Sequence, residues 1–533
     1  MEPPAALKSA LESRFCPLQT THPGLLRFGK TKKQSPFLRF DQRWHLDGFI
    51  GEVPHRSGHF SGKIREYKTT GLSGTPVAGA TMDISGFCKI THLLDAYRML
   101  QGNYPVAQHP ALPSPGKKSA KVYGKLHDPH NQAYVDAVAC YMLSKFREAD
   151  HSPHFSLFYG AYLAIAKEYF YNITEDFSDL RFEKWFWRRK NQGHFKLLGF
   201  NGDEPMDADS PLLVSPDEDL DLDESSTEGS DSSSEGSHIS ELGGYESGVG
   251  RAGETGSIHS ASITTASDSD ETYDSEDDDD DSDYDSEGMD ENTKLFAAMS
   301  EFPTMLIFLE SNTNTMDSLL DETDVSVEAE ADKWRAWLFQ VIAALCQIQS
   351  LWAMTHNDLH SNNILWTATD KPYLYYSTAD GRMWRVPTYG KIFRIIDFGR
   401  AIYTHNDVLC VSDDYWPENE AGTQYNFGPF YDPEEPLCYP NPSFDLCRLS
   451  VSIIEALFHE VPEDREGGGV LSDETNFRQN ETVSDLYNIL WEWLIDEDGR
   501  NVLWNPDKSE RYPGFDLYSV IAKKVKGAVP REQ

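Results

Sequence analysis

"THNDLHSNNILWT", residues 355–367, sets His356, Asp358 and Asn363 side by side. Asn and Asp are also ordinary turn formers, so the letters alone are ambiguous and the surroundings decide. Upstream, "EADKWRAWLFQVIAALCQIQSLWAM" (330–354) carries Trp334, Trp337, Leu338, Val341, Ile342, Leu345 and Ile348 at helical spacing, which predicts a long helix delivering the chain into the stretch. Downstream, "KPYLYYSTADGRMWRV" (371–386) has two aromatic and β-branched runs about an Asp-Gly turn and predicts a hairpin. "GKIFRIIDFGRAIY" (390–403) then predicts a strand ending in the turn Asp397-Phe398-Gly399. A turn that served only to reverse the chain would need none of this context, so the stretch reads as a site.

An Asp two residues after a His, an Asn five residues after that Asp, and an Asp-Phe-Gly at a later strand end form the set that phosphoryl transfer to a hydroxyl requires. One carboxylate orients the acceptor hydroxyl, while an amide oxygen and a second carboxylate hold the magnesium that bridges the phosphates. Asp358, Asn363 and Asp397 fit these roles in order, with Asn363 and Asp397 as metal ligands. His356 is assigned a structural part in packing and hydrogen-bonding the loop.

The formal charge of −40 is concentrated rather than spread. Residues 203–292 hold 31 Asp and Glu against the single basic residue Arg251, so the remainder of the chain is only mildly acidic. That stretch, ending in "SDSDETYDSEDDDDDSDYDSEGMDE", has too little apolar surface to offset its chain entropy and is expected to be disordered. The 7 cysteines are scattered, with no CxxC pair, which favours a reducing compartment and no cysteine-rich zinc module. No apolar run is long enough to span a membrane and the N-terminus lacks a signal-peptide core, so the protein is expected to be soluble and intracellular, in the cytoplasm.

Other elements follow from pattern. "DISGFCKI" (83–90) alternates like a strand, "NQAYVDAVACYMLSKF" (131–146) reads as an amphipathic helix, "HFSLFYGAYLAIA" (154–166) as an apolar strand pair, and "FPTMLIFLES" (302–311) as a buried strand.

The loop and the Asp-Phe-Gly turn resemble those of the protein kinases, and the resemblance runs from about residue 83 to 525 with the acidic insert excluded. "GTQYNFGPFYDPEEP" looks like a drifted activation-segment end, and "SFDLCRLSVSIIEAL" like the helix whose Asp anchors the catalytic loop. More narrowly, "NQAYVDA", "FYGAYL", "YNITEDFSDL", "VPTYGKIFRIIDFGRAIY" and "PNPSFDLCRLS" look like the predicted serine/threonine kinases of large DNA viruses. This implies an α+β, two-lobed protein kinase-like fold, with a small mainly β N-lobe and a larger mainly α C-lobe. The expected division is an N-terminal extension (1–65), an N-lobe (66–202), the insert (203–292), a last N-lobe strand and hinge (293–312), a C-lobe (313–525) and a tail (526–533).

By the same resemblance Phe398 and Gly399 complete the metal-binding turn, Asp445 anchors the catalytic loop, and Arg511 pairs with Glu434. Asn357 stands where the family has Arg, and His360 where it has Lys; the first removes the pocket that reads an activation-loop phosphate. Lys89 is the first choice for the phosphate-binding lysine, with Lys121 and Lys125 as rivals, and Asp136 is the expected carboxylate partner. Gly71 and Gly74, in "GLSGTPVAGA" (71–80), are the nearest approach to a glycine-rich loop, although their spacing misses the family pattern.

The implied activity is ATP- and Mg2+-dependent transfer of phosphate to Ser or Thr hydroxyls of a protein substrate. An inactive scaffold of the same fold and a small-molecule kinase of the choline or aminoglycoside type are the alternatives. The acidic insert would serve as a dock for a basic protein partner or as a target of an acidophilic kinase. Neither membrane nor nucleic acid is an expected partner, and a viral protein of this kind would sit in host cytoplasm or virion.

Overall fold

The computed structural model describes the chain apart from residues 1–2, 23–24, 26–39, 71–74, 105–110, 115–122, 203, 208–209, 211, 216–292, 313, 379–380, 418, 420, 475–476 and 506–508. The N-terminal part supplies α1 (Ala5–Glu12), β1 (Phe15–Gln19), β2 (Trp44–Phe49), β3 (Gly58–Thr70), β4 (Thr75–His92), α2 (Ala96–Gln101), α3 (Gln132–Glu148) and β5 (Phe158–Asn172). After these come α4 (Phe177–Leu180), α5 (Lys184–Asn191), β6 (Lys196–Asn201), β7 (Glu204–Pro205) and β8 (Thr293–Glu310).

Strands β1, β5, β8, β4, β3 and β2 lie side by side in that order. The β4–β8 register sets Lys89 opposite Ile307, and the β3–β4 register sets Gly58 opposite Cys88. On β4, Cys88 and Ile90 face the core, and Lys89, on the opposite face by alternation, is nevertheless only 8% exposed. Helix α3 begins at an Asn131 side chain that caps the Ala133 amide, and buries Val135, Val138, Ala139, Met142 and Leu143. Its Ser144 hydroxyl accepts the Phe158 amide of β5.

Residues 1–65, expected to be an extension, contribute α1, β1, β2 and the start of β3 to this sheet framework. Within the stretch 154–166, residues 158–166 belong to one long strand rather than a pair, and the Gly160 backbone takes φ +142° within it without turning the chain. The strand read at 302–311 begins earlier, at Thr293.

A separate compact unit begins at Asn172 and includes α4, α5, β6, β7 and the first residues of β8. Phe177, Phe186, Trp187 and Phe195 form its core, and the Trp187 indole donates to the Arg181 carbonyl. Its described part extends to residue 215: Leu212 and Leu213 are buried, and Lys190 Nζ donates to the Leu213 carbonyl at 2.7 Å. The expected start of the insert at 203 is therefore too early, because Leu212 and Leu213 supply apolar anchors within an acidic neighbourhood. Residues 216–292 lie outside the described residues.

The C-terminal part runs through β9 (Asn314–Thr315), α6 (Glu328–Trp352), β10 (Ile364–Ala368), β11 (Tyr373–Ser377), β12 (Met383–Pro387), β13 (Lys391–Ile395), β14 (Tyr403–His405) and β15 (Val408–Cys410). It ends with α7 (Phe444–Leu457), β16 (Val470–Glu474), β17 (Phe477–Asn480), α8 (Asp485–Trp493) and α9 (Asp516–Lys524). Helix α6 matches the periodic stretch and stops where Ala353 turns left-handed at φ 47°. Its buried Gln340 accepts the Phe393 amide and donates to the Lys391 carbonyl, which fixes β13 against the helix. Strands β13, β10 and β9 form a small sheet, and β11 and β12 pair as the expected hairpin. No helix among the described residues is long and apolar enough to cross a membrane.

Candidate active site

Residues 355–363 leave α6 and are held from behind by α7. Asp445, fully buried, accepts the backbone N–H groups of His356 and Asn357 at 2.9–3.1 Å. Burial pushes its carboxyl above the usual range, since His356 and the two amides offset only part of the lost hydration. His356 Nε2 donates to the Ile396 carbonyl at 2.8 Å and Nδ1 lies within reach of the Asp358 amide, so the ring ties the loop to the strand end carrying Asp397. Its ring also packs 5.3 Å from that of Phe398.

Asn357 takes φ 64°, a left-handed conformation that Asn tolerates better than most side chains. Its amide donates to the carbonyls of Thr355 and Arg400, and its oxygen accepts the Tyr425 hydroxyl at 2.7 Å. The position thus holds a buried amide bonded to Tyr425, far along the chain.

Asp397 sits beyond β13, also left-handed at φ 61°. Lys89 Nζ lies 2.8 Å from Asp397 Oδ1 and 2.7 Å from Asp136 Oδ2. Phe398 donates its amide to Asp136 Oδ1 at 3.1 Å. Burial works against the charge on Lys89, and the two carboxylates outweigh it, so its pKa is raised; burial likewise opposes the charge on Asp397, but Lys89 holds its carboxyl below the usual range. A strand, a helix and the Asp-Phe-Gly turn thereby meet on one ammonium. Gly399 packs so closely that a Cβ there would meet Gln132 Nε2 at 3.1 Å.

Asp358 is partly exposed. Burial opposes its ionisation, but Arg400, His360 and Arg448 more than offset this and keep its carboxyl below the usual range. Arg400 Nη1 stands 3.9 Å from Asp358 Oδ1, while its Nε donates to Asp414 at 2.8 Å. Asn363 directs its NH2 to the Asp358 carbonyl and to His360 Nε2. Among the described residues its Oδ1 accepts no hydrogen bond, nor does Asp397 Oδ2. One amide oxygen and one carboxylate oxygen are thus left over, hard donors that suit Mg2+ when phosphate and water complete its shell. No group of three or more His, Cys, Asp or Glu arranged to hold a metal by itself occurs among the described residues.

Not every expected residue joins this cluster. Lys125 lies on a short helical turn, not a strand, and pairs with Asp413 at 2.7 Å. Lys121, Gly71 and Gly74 lie outside the described residues. The strand ends flanking the two glycines, Thr70 and Thr75, pair at the opposite end of the β3–β4 hairpin from Lys89, roughly 45 Å away at strand spacing. Near Lys89 the turn is instead 50–57, between β2 and β3, where Ser57 Oγ accepts the Ile90 amide at 2.9 Å. That turn carries Gly51, with open space around it. Glu434 is exposed in a turn stapled by Asn426, and Arg511 bonds instead to the Asn501 carbonyl; proline-rich chain at 433–442 leaves no regular element to bring the two together.

Sequence reasoning missed Arg400, Tyr518 and Arg448. Arg400 had a signal, since it directly follows the Asp-Phe-Gly turn, whereas Tyr518 had none. No protein-family model matches the chain, and neither does any curated protein.

Proposed function

We propose that the protein is an ATP- and Mg2+-dependent kinase transferring the γ-phosphate to Ser or Thr hydroxyls of protein substrates, on a two-lobed kinase-like fold. The observation that carries this reading is the meeting of Lys89, Asp136 and Asp397 above a loop that offers Asp358 and Asn363. Lys89 would neutralise nucleotide phosphate, with Asp136 fixing the ammonium so that no reorganisation is needed. Asn363 and Asp397 would hold Mg2+, which supplies charge neutralisation on the phosphates. Asp358, ionised and acceptor-only, would orient the incoming hydroxyl. The 50–57 turn is the better candidate for backbone contact with phosphates, because it adjoins the Lys89 end of β4.

A smaller acceptor is the second reading, favoured by α9: Phe515 and Tyr518 stand at the Arg400–Asp358 side of the loop, where a protein segment would approach. One experiment separates the readings. Full-length protein is incubated with Mg-ATP and either mixed protein substrates or small hydroxyl and amino-alcohol acceptors, wild type beside Asp358→Ala. Transfer to protein that disappears in Asp358→Ala supports the proposal. Transfer only to small acceptors favours the second reading, and an absence of any transfer overturns both.

A further inference from the structure

We infer that Tyr518 is a positioning residue for Asp358, fixing one carboxylate oxygen so that the other receives the acceptor. This rests on the reading of Asp358 as the acceptor-orienting carboxylate.

Tyr518 comes from α9, far along the chain, yet its hydroxyl lies 3.2 Å from Asp358 Oδ1. Arg448 Nε donates to the same hydroxyl at 2.9 Å. A phenol has a single proton and a guanidinium has only donors, so the Arg448 N–H fills a lone pair and leaves the phenolic proton for Asp358. The bond direction is therefore fixed, from Arg448 through Tyr518 to Oδ1. Arg400 faces Oδ1 as well, at 3.9 Å, whereas Oδ2 accepts no hydrogen bond among the described residues. The two oxygens are inequivalent before any acceptor arrives.

Packing makes this a held geometry. The Tyr518 ring stacks on Phe515 at 4.7 Å and 11°, packs 5.8 Å from Phe444, and carries the Arg448 guanidinium 5.2 Å from its centre. The next residue, Ser519, is within hydrogen-bond distance of Thr423 at 3.2 Å. Arg448 is on α7, one turn beyond Asp445, so a single helix grips the loop twice: its backbone through Asp445 and its reactive carboxylate through Tyr518. A competing account has the Tyr518 hydroxyl occupying the acceptor's place and blocking it. The two accounts differ in sign.

The test uses the full chain with Mg-ATP and a saturating acceptor. Tyr518→Phe keeps the ring contacts and removes the hydroxyl; the expected result is a kcat lower by about 10-fold with the KM for ATP unchanged, the pattern of a lost orienting interaction. Arg448→Met should fall at least as far, because it removes both the bond to the Tyr518 hydroxyl and a charge beside Asp358, and Arg448→Lys should recover part of the loss. Wild-type kcat in Tyr518→Phe, or a rise in it, overturns the inference, the rise in favour of blocking. A thermal-midpoint cycle of Tyr518→Phe, Asp358→Asn and the double variant gives a readout independent of turnover. Non-additive midpoints support the link and additive ones overturn it. If wild type transfers no phosphate, the functional reading falls, and the cycle then decides only whether Tyr518 holds the Asp358 carboxylate.

Discussion

Asp445 and Asp136 are both carboxylates within 2% of complete burial, and each is tied to a different half of the site by different means. Asp445 takes its partners from two consecutive backbone amides, so its task is to hold the shape of the loop. Asp136 takes a lysine side chain from one strand and an amide from the Asp-Phe-Gly turn, so its task is to hold a charge in place. Losing the first should loosen the loop, whereas losing the second should leave Lys89 to Asp397 alone and the Phe398 amide without its acceptor.

Variants can break this division. The largest effect is expected from Asp397→Asn, which removes a carboxylate that pairs with Lys89 and, on the proposed reading, would also hold Mg2+: Mg-ATP-dependent transfer should fall on the order of 10³-fold or more, with near-wild-type circular dichroism. Lys89→Met should cost on the order of 10²-fold in kcat, while Lys125→Met, whose ion pair is with Asp413, should stay within a few-fold of wild type. Equal losses in the two lysine variants would show that charge placement is not specific to Lys89. Asp445→Ala should instead appear as stability, lowering unfolding free energy by about 2–4 kcal/mol in denaturant titration through amides left unsatisfied. A large loss of transfer with an unchanged unfolding midpoint would erase the distinction between shape and charge.

The smallest effect concerns pH. His154 is buried between the Phe393 carbonyl and the Tyr376 hydroxyl, and burial pushes its pKa from 6.5 to about 4. The unfolded chain takes the proton more readily, so its contribution to stability is complete above pH 6.5 and is lost as pH falls toward 4. Between pH 7 and 5 the wild type should lose up to ~2 kcal/mol through this group, and His154→Gln should show a shallower decline. Parallel declines in thermal scans would assign the pH dependence to other histidines.

The loop side was legible because its residues are nearly contiguous: His356, Asp358 and Asn363 share one short stretch, and α6 and β13 announce themselves by period. On the sheet side, legibility stopped at candidates. Lys89 leads its rivals Lys121 and Lys125 only narrowly along the chain, and the strand register and the α3 packing are what send Lys89 to Asp136 and Lys125 to Asp413. Gly71 and Gly74 attracted attention because glycines cluster there, while the turn adjoining Lys89 has fewer of them and is bracketed by charged and apolar residues alike. The missed Tyr518 belongs to a helix whose only sequence signal is amphipathic, so nothing local reports what its hydroxyl meets. Glu434 and Arg511 carried family-like letters without the intervening structure that would join them.

The Asn357–Tyr425 hydrogen bond bears on when the site becomes competent. Both partners are written into the chain, and the left-handed turn at Asn357 closes on a hydroxyl that is there as soon as the protein folds. At this point the loop is closed by a side-chain hydroxyl of the chain itself, a neutral bond that forms with the fold and carries no charge that salt could screen.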